Sequence, residues 1–546
     1  MDRYNHLSFA EIIPNVVAKY SNNNALGFVD DESLTYKQMG KRIDTVMAFV
    51  ETLQIVPGDR VVILSQNMPN WGVVYFALQC MGIVTVPVLP DFNSHELQNV
   101  LNHSEAKAIF ISEELKHKLD NLDTKFIESI INISDFNILQ SKYSAIFNES
   151  TKCKQTYSPN EDDMSILLYT SGTTGNSKGV MLSQKNVLSN AYQSGNVQEV
   201  KENYKFLSVL PLAHTYENTI GLILPIINGA SVKYLRKPPT ASVLLPAMQK
   251  IKPDFMLTVP MIIEKVYKNS ILPEINKKVI TKFLHKFKPT RKLLYGIAGK
   301  KLYQTFGGNL KFFGIGGAKL DGVVEQFLRD AKFPYAIGYG LTETSPLLAG
   351  SNPSETRFQA IGKIVTDCEV IINNPDPITG EGEIWAKGPN VMLGYYKNEE
   401  ETRKVMTNDG WFKTGDLGVF DKDGWLSHKG RLKNMIVGSN GENIYPEDIE
   451  SVINNFQHVV ESIVIKNKGK LVAMVHFNRE ELEKTIRNVA HDLSNKVDDT
   501  IEELSKELQL YVNNRVSKFS KIQMLVVHKE PFKKTATKKI KRYLYH

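Results

Sequence analysis

SILLYT (Ser165 to Thr170) runs without a break into SGTTGNSKGV (Ser171 to Val180). The apolar run reads as a buried strand. The segment after it spends three glycines, Gly172, Gly175 and Gly179, on one loop, beside the hydroxyls of Thr170, Ser171, Thr173 and Thr174 and the ammonium of Lys178. Glycine costs backbone entropy on ordering, so such a loop needs a reason for its backbone to come close to something. Converging N–H groups, hydroxyl donors and a mobile positive charge make a cradle for phosphate. The spacing is not GxxxxGK[ST], because no Ser or Thr follows the lysine–glycine pair, and a Walker A loop is thereby disfavoured.

Outward from this strand the same texture repeats. RVVILS (Arg60 to Ser65) reads as a strand, WGVVYFALQCMG (Trp71 to Gly82) as a helix, VTVPVLP (Val84 to Pro90) and KAIFIS (Lys107 to Ser112) as further strands. FMLTVP (Phe255 to Pro260) and LKFFGIGGA (Leu310 to Ala318) continue the pattern. Alternating strands and helices predict an α/β sheet. From Glu381 onward GEIWAKG, GWFKTGDLGVF and GWLSHKG are short strands between glycine turns, which predict a small β-barrel-like region. After Arg431 comes a mixed segment with the strands SIVIKN and LVAMVHF and a polar helix expected over Glu480 to Leu508. The expected division is an N-terminal domain at 1–432 and a C-terminal domain at 433–546.

The chain has 546 residues, 42% hydrophobic and 23% charged, the balance of an ordinary soluble protein. Three separated cysteines, Cys80, Cys153 and Cys368, form no framework and suggest a reducing compartment. The N-terminus does not read as a signal peptide, and the best apolar run, Ile220 to Ile227, is far short of the ~20 residues that span a bilayer. A cytoplasmic location is expected, with peripheral contact on the inner face of a membrane as an added possibility. The net charge of +7 favours anionic partners. No interleaving of basic and aromatic residues stands out, so no nucleic acid is expected.

Four more strings occur in order: GYGLTETSP (Gly338 to Pro346), TGDLG (Thr414 to Gly418), GRLKNMIV (Gly430 to Val437) and KTATKKIKR (Lys534 to Arg542). With the glycine loop, they make the chain resemble the adenylate-forming superfamily, which includes acyl-CoA synthetases, firefly luciferase and the adenylation domains of peptide synthetases. The resemblance runs from about Leu34 to Arg542. It implies a large N-terminal domain of stacked α/β subdomains and a small mobile α+β C-terminal domain. It implies ATP, Mg²⁺ and coenzyme A, with a carboxylate attacking the α-phosphate and a thiol then displacing AMP.

The resemblance also implies roles. Thr170 to Gly175 and Lys178 would hold the departing phosphates. Glu343, with Thr170, would bind Mg²⁺, and Thr342 would touch the α-phosphate. Tyr339 and Gly340 would face the adenine, and Gly316, Gly317 and Ala318 would line its pocket. Asp416 would accept from the ribose hydroxyls and Arg431 would donate to ribose or phosphate. Lys433 marks a hinge, and Gly441 approaches the thiol's tunnel in relatives. Lys539 matches the adenylation lysine, although Lys538 stands where most members have glycine. Read singly, Asp416 is a turn aspartate, Tyr339 is core packing, and the lysines are a solvated basic tail.

His214, in PLAHTYEN (Pro211 to Asn218), falls where the family places a gate beside the acyl pocket. Glu217 and VPMIIEKVY (Val259 to Tyr267) resemble the long-chain fatty acid–CoA ligases, with Met261 where many members have arginine. Ile220, Leu222 and Ile223 are candidates for an apolar pocket wall. The stretch Tyr267 to Gly308 carries Lys277, Lys278, Lys282, Lys286, Lys288, Arg291 and Lys292, which suit either a solvated face or anionic lipid. The reading is a long-chain fatty acid–CoA ligase, monomer or homodimer. The alternatives are a medium-chain or aromatic acid, transfer to a carrier protein, and a non-catalytic basic lipid-binding protein.

Overall fold

The protein is described by a computed structural model, covering residues 7–170, 178–438, 442–487, 494–535 and 539–545. Two large sheets organise the N-terminal part. One has eight strands in the order Gly394–Tyr395, Lys178–Ser183, Met164–Thr170, Val84–Val88, Arg60–Leu64, Ala108–Ile111, Ser129–Asn132, Ile138–Ser141. The other has nine and runs from Lys363–Ile364 through Leu347–Gly350, Tyr335–Gly340, Phe312–Ile315 and Phe255–Thr258 to Leu34–Thr35. The central pairings of both are parallel.

One hydrophobic core joins the two sheets, drawing Val61 and Ile63 from the first, Phe206 and Val232 from the second, and the helices between. The helix Pro69–Cys80 explains the stacking. Every residue from Asn70 to Cys80 is buried, and a helix apolar all round must be covered on all sides. Proline at its start suits a position whose N–H has no partner within the helix.

The expected β-barrel-like region is instead an open antiparallel sheet of four strands, Glu369–Asn373, Gly382–Lys387, Phe412–Phe420 and Leu426–Arg431. Four strands are too few to close around a core. The sheet instead buries Ile384 and Leu426 against Ala349 of the nine-stranded layer and against Ile361, which precedes that layer's edge strand.

The C-terminal part has its own core, in which Ile449, Ile453, Val464, Val475, Ile501 and Leu508 gather. It combines the sheet Val459–Asn467, Lys470–Phe477, Met524–Val527 with flanking helices. Where one polar helix is expected, the described residues are helical over Arg479–Arg487 and Ser494–Asn513, and 488–493 lie outside the described residues. No described helix is long and apolar enough to cross a membrane.

Candidate active site

The site lies at the C-terminal ends of the parallel strands Phe312–Ile315 and Tyr335–Gly340, where α/β sheets place their ligands. Gly316, Gly317 and Ala318 leave the first strand, and Gly316 donates to the Thr258 carbonyl at 3.1 Å. The Tyr216 ring sits where a side chain at Gly316 would begin, 3.2 Å from an added Cβ. Gly340 ends the second strand; a Cβ there would lie 1.8 Å from the Pro346 carbonyl oxygen, so only glycine lets the chain fold back on itself. The next turn, Thr342–Thr344, presents Thr342 and Glu343.

Asp416 and Arg431 face each other across adjacent antiparallel strands. Arg431 Nε lies 3.1 Å from Asp416 Oδ1, and His428 Nε2 lies 3.8 Å from the same atom. Tyr339 donates its hydroxyl to Asp416 Oδ2 at 2.9 Å, and its ring is tilted beside that of His428. Asp416 is 2% exposed. Burial pushes its carboxyl up, but His428, Arg431 and Tyr339 outweigh that and leave it below the ordinary aspartate value. Oδ1 still accepts no hydrogen bond, leaving a buried lone pair for a hydroxyl donor. Arg431 keeps 45% of its side chain exposed, at the rim.

Glu343 Oε1 accepts from the Tyr395 hydroxyl at 3.0 Å. Lys178 lies over the Tyr395 ring, 4.8 Å from its centroid, and pairs with Glu401. Lys178, followed by Lys404, holds the Glu401 carboxyl at about 2. Thr170 pairs with Lys178 across the strands that flank the glycine loop. Ser171, Gly172, Thr173, Thr174 and Gly175 lie outside the described residues, as do Gly441 and Lys538. The Thr342–Thr344 turn packs against the strand that begins at Lys178. Glu343 offers a carboxylate and Thr170 a hydroxyl, an all-oxygen pair that fits a hard cation shared with phosphate oxygens.

Lys539 arrives from the other end of the chain. The Thr535 N–H donates to the Lys539 carbonyl at 2.8 Å. Its basic neighbours are engaged elsewhere: Lys534 pairs with Glu461, Arg542 with Glu450, and Lys541 lies 3.8 Å from Glu96. Lys539 instead meets the fields of Arg431, Asp416 and Glu343. Burial of the ammonium, then Arg431, lower it from the ordinary lysine value, while Asp416 and Glu343 oppose the shift. The residue as a whole is exposed. His214 is held down to about 4, by burial and then by Lys539, and is a neutral imidazole at pH 7.

The C-terminal part is latched in this position. Lys268 donates to the carbonyls of Val459, Phe456 and Asn454 at 2.8, 3.0 and 3.3 Å. Lys319 pairs with Asp448 at 2.6 Å, and Asp321 accepts from Ser451 at 3.0 Å. Lys433 is exposed in the turn Leu432–Asn434 that links the two parts.

Beside Tyr216 lies an apolar cavity of about 40 Å³, lined by Ile220, Leu224, Phe255, Leu257 and Phe312 among others. Ile220 is one of the three expected wall residues. The other two, Leu222 and Ile223, do not line it: both are fully buried core, and Leu222 points toward Gly72. The wall is a π-helix, Tyr216–Ile223, whose wider turn changes which residues share a face. Glu217 faces inward within it. Its carboxyl lies 2.7 Å from where Gly221 would carry a Cβ, Oε2 has no hydrogen-bond partner, and burial raises it to about 8. A separate open cavity of about 400 Å³, between Gly299 and Phe333, touches none of these groups.

Sequence reasoning missed Tyr395, Glu401, His428 and Lys268. Only His428 carried a signal, as an ionisable residue in a short strand next to TGDLG.

The family model for AMP-binding enzyme matches residues 13–396, and that for AMP-binding enzyme C-terminal domain matches 433–545. Long chain acyl-CoA synthetase 7, peroxisomal, of Arabidopsis thaliana is 28% identical over 78% of this chain and 65% of its own length. Long chain acyl-CoA synthetase 1 of the same plant is 29% identical over 96% of this chain and 87% of its own. The o-succinylbenzoate CoA synthetase of Bacillus subtilis, solved with its acyl-adenylate intermediate, has the same fold, with a TM-score of 0.75 at 22% identity over 98% of each chain. The chain belongs to the AMP-binding enzyme family.

Proposed function

We propose that the protein is an acid–thiol ligase that activates a fatty acid, of long chain, with ATP and passes it to coenzyme A. The observation that carries this reading is the cluster of buried Asp416 with Arg431 and Tyr339 at the strand ends, with Glu343 on the turn that follows and Lys539 reaching their field from the C-terminal part. In the first half-reaction a carboxylate oxygen attacks the α-phosphorus and pyrophosphate leaves. Negative charge gathers on the α-phosphate, and positioned cations lower that barrier most. Lys539 and Arg431 are those cations. Asp416 Oδ1 accepts from the ribose hydroxyls, and Tyr339 flanks the base. Thr170 and Lys178 begin and end the phosphate loop, and Lys178 exchanges Glu401 for phosphate. Glu343 and Thr170 would hold Mg²⁺, which when bound would supply positive charge to the phosphates. Thr342 contacts the α-phosphate. In the second half-reaction the C-terminal domain turns at Lys433, withdraws Lys539, and admits the thiol.

The names of the relatives support the long-chain assignment. The narrow apolar cavity favours a second reading, a medium-chain or aromatic acid, unless Tyr216 moves aside. Product analysis with ATP, Mg²⁺, coenzyme A and free acids graded by length tests both. The expected result is thioester, AMP and pyrophosphate, with kcat/KM rising with chain length. An optimum for a short or aromatic acid overturns the chain-length assignment, and acid-independent ATP hydrolysis overturns the ligase reading. Glu343→Gln should keep the fold and lose acid-dependent pyrophosphate exchange; normal exchange removes Glu343 from the site.

A further inference from the structure

The helices Val279–Leu284 and Lys288–Thr305 form a hairpin-like projection from the nine-stranded layer. Its inward side is settled. Tyr295, Gly299 and Leu302, at helical spacing, are buried, and the Tyr295 hydroxyl bonds to both Tyr267 and His285 at 2.9 Å. Its outward side is apolar as well. Val279 is 86% exposed, Ile280 72%, Phe283 59%, Phe287 51%, Leu293 67% and Ile297 65%. The Phe283 and Phe287 rings touch edge to face, 5.2 Å apart, making one ridge. A lone exposed leucine needs no explanation, but six large apolar side chains on one projection do.

Charge decides what covers them. The seven basic residues already named on this stretch are joined by Lys300 and Lys301, and no acidic residue occurs from 277 to 301. An apolar ridge framed by unrelieved positive charge is complementary to a bilayer interface, where acyl chains lie beneath anionic headgroups. A second copy of the chain would set this positive field against itself. We propose that the projection Val279–Thr305 docks the protein on an anionic lipid surface, with Phe283, Phe287 and their apolar neighbours entering the interface and the lysines meeting the headgroups. The proposal is independent of the ligase chemistry, because none of these residues belongs to the cleft.

The test is flotation of the full chain with vesicles of phosphatidylcholine alone or of phosphatidylcholine with phosphatidylglycerol. The wild type is expected to float with the anionic vesicles and not with the neutral ones. Phe283→Ser with Phe287→Ser should lower partitioning at least about tenfold at unchanged charge. Lys282→Gln with Lys286→Gln should lower it about fivefold per lysine at low salt, and less at high salt. Both variants should keep the wild-type unfolding midpoint, since every altered side chain faces outward. Equal flotation of wild type and both variants overturns the proposal, as does a wild type that ignores vesicle charge. A wild-type dimer that the phenylalanine variant dissociates, with no change in flotation, makes the ridge a contact between copies and also overturns it.

Discussion

Asp416 and Glu217 are both buried carboxyls, 2% and 1% exposed, and the protein treats them in opposite ways. Asp416 stands at a strand end among Arg431, His428 and Tyr339, and stays ionised. Glu217 stands in a helix wall with the Ser208 hydroxyl as a donor, and burial raises it to about 8, so it is mostly neutral at pH 7. The cost of burying charge depends on the groups that meet it. The cleft is therefore a region of compensated charge, ready to exchange its partners for a nucleotide. The wall beside it is apolar and leaves its one carboxyl uncompensated. Breaking the two regions should give different symptoms.

The largest effect is expected in the cleft. Lys539→Ala should slow acid-dependent adenylation by about 10²–10³-fold, the scale for removing one preorganised group from a charged transition state. Supplied with preformed acyl-adenylate and coenzyme A, the same variant should work nearly as well as wild type. Lys433→Pro should do the reverse, since a fixed φ at the linking turn hinders rotation after the adenylate has formed. Rapid-quench assays of each half-reaction check both. Equal impairment of both halves by Lys539→Ala would reduce its turn to a basic surface.

The cleft was more legible than the wall, for a physical reason. Charge chemistry needs particular residue types at fixed places, so Asp416, Arg431, Tyr339 and Glu343 could be named from their strings, and the structure brings them together. Lys539 could be named too, but its approach depends on Lys534, Lys541 and Arg542 each finding an acid elsewhere, which no spacing reveals. An apolar wall accepts many side chains, so Ile220 was no more distinctive than Leu222 or Ile223. A π-helix then changed the facing residue. The alternating strands exposed the α/β layers in the same way, whereas glycine turns could not distinguish an open sheet from a barrel. The basic charge of Tyr267 to Gly308 was legible as a solvated or lipid-facing stretch, but the outward ridge at Phe283 and Phe287 was not, because sequence does not show which apolar residues of a helix are left uncovered.

An effect of middle size tests the wall. Ile220→Phe narrows the cavity beside Tyr216 without adding charge. The expected outcome is a drop in kcat/KM of about tenfold or more for the longest acids, with the shortest nearly unchanged. Adenylation rates across a series of acids measure it. A uniform loss at every length, with a lowered unfolding midpoint, would make Ile220 a packing residue alone.

The smallest expected effect is on stability, and it sharpens the contrast between the two carboxyls. Glu217 is raised from an ordinary 4.5 to about 8 in the folded protein. Below 4.5 both the folded and unfolded states carry its proton, and its contribution is present in full. As pH rises from 4.5 to 8 the unfolded state releases the proton and the folded state retains it, so stability is lost across that window. Glu217→Gln keeps the volume and a neutral head, and cannot ionise in either state. The variant should match wild type near pH 5 and become the more stable of the two by pH 8, by an amount on the order of a kcal/mol or more. Denaturant unfolding of both proteins at several pH values measures the difference, and comparing them cancels every other titrating group. Parallel pH profiles would show that Glu217 is ionised where it lies, compensated like Asp416.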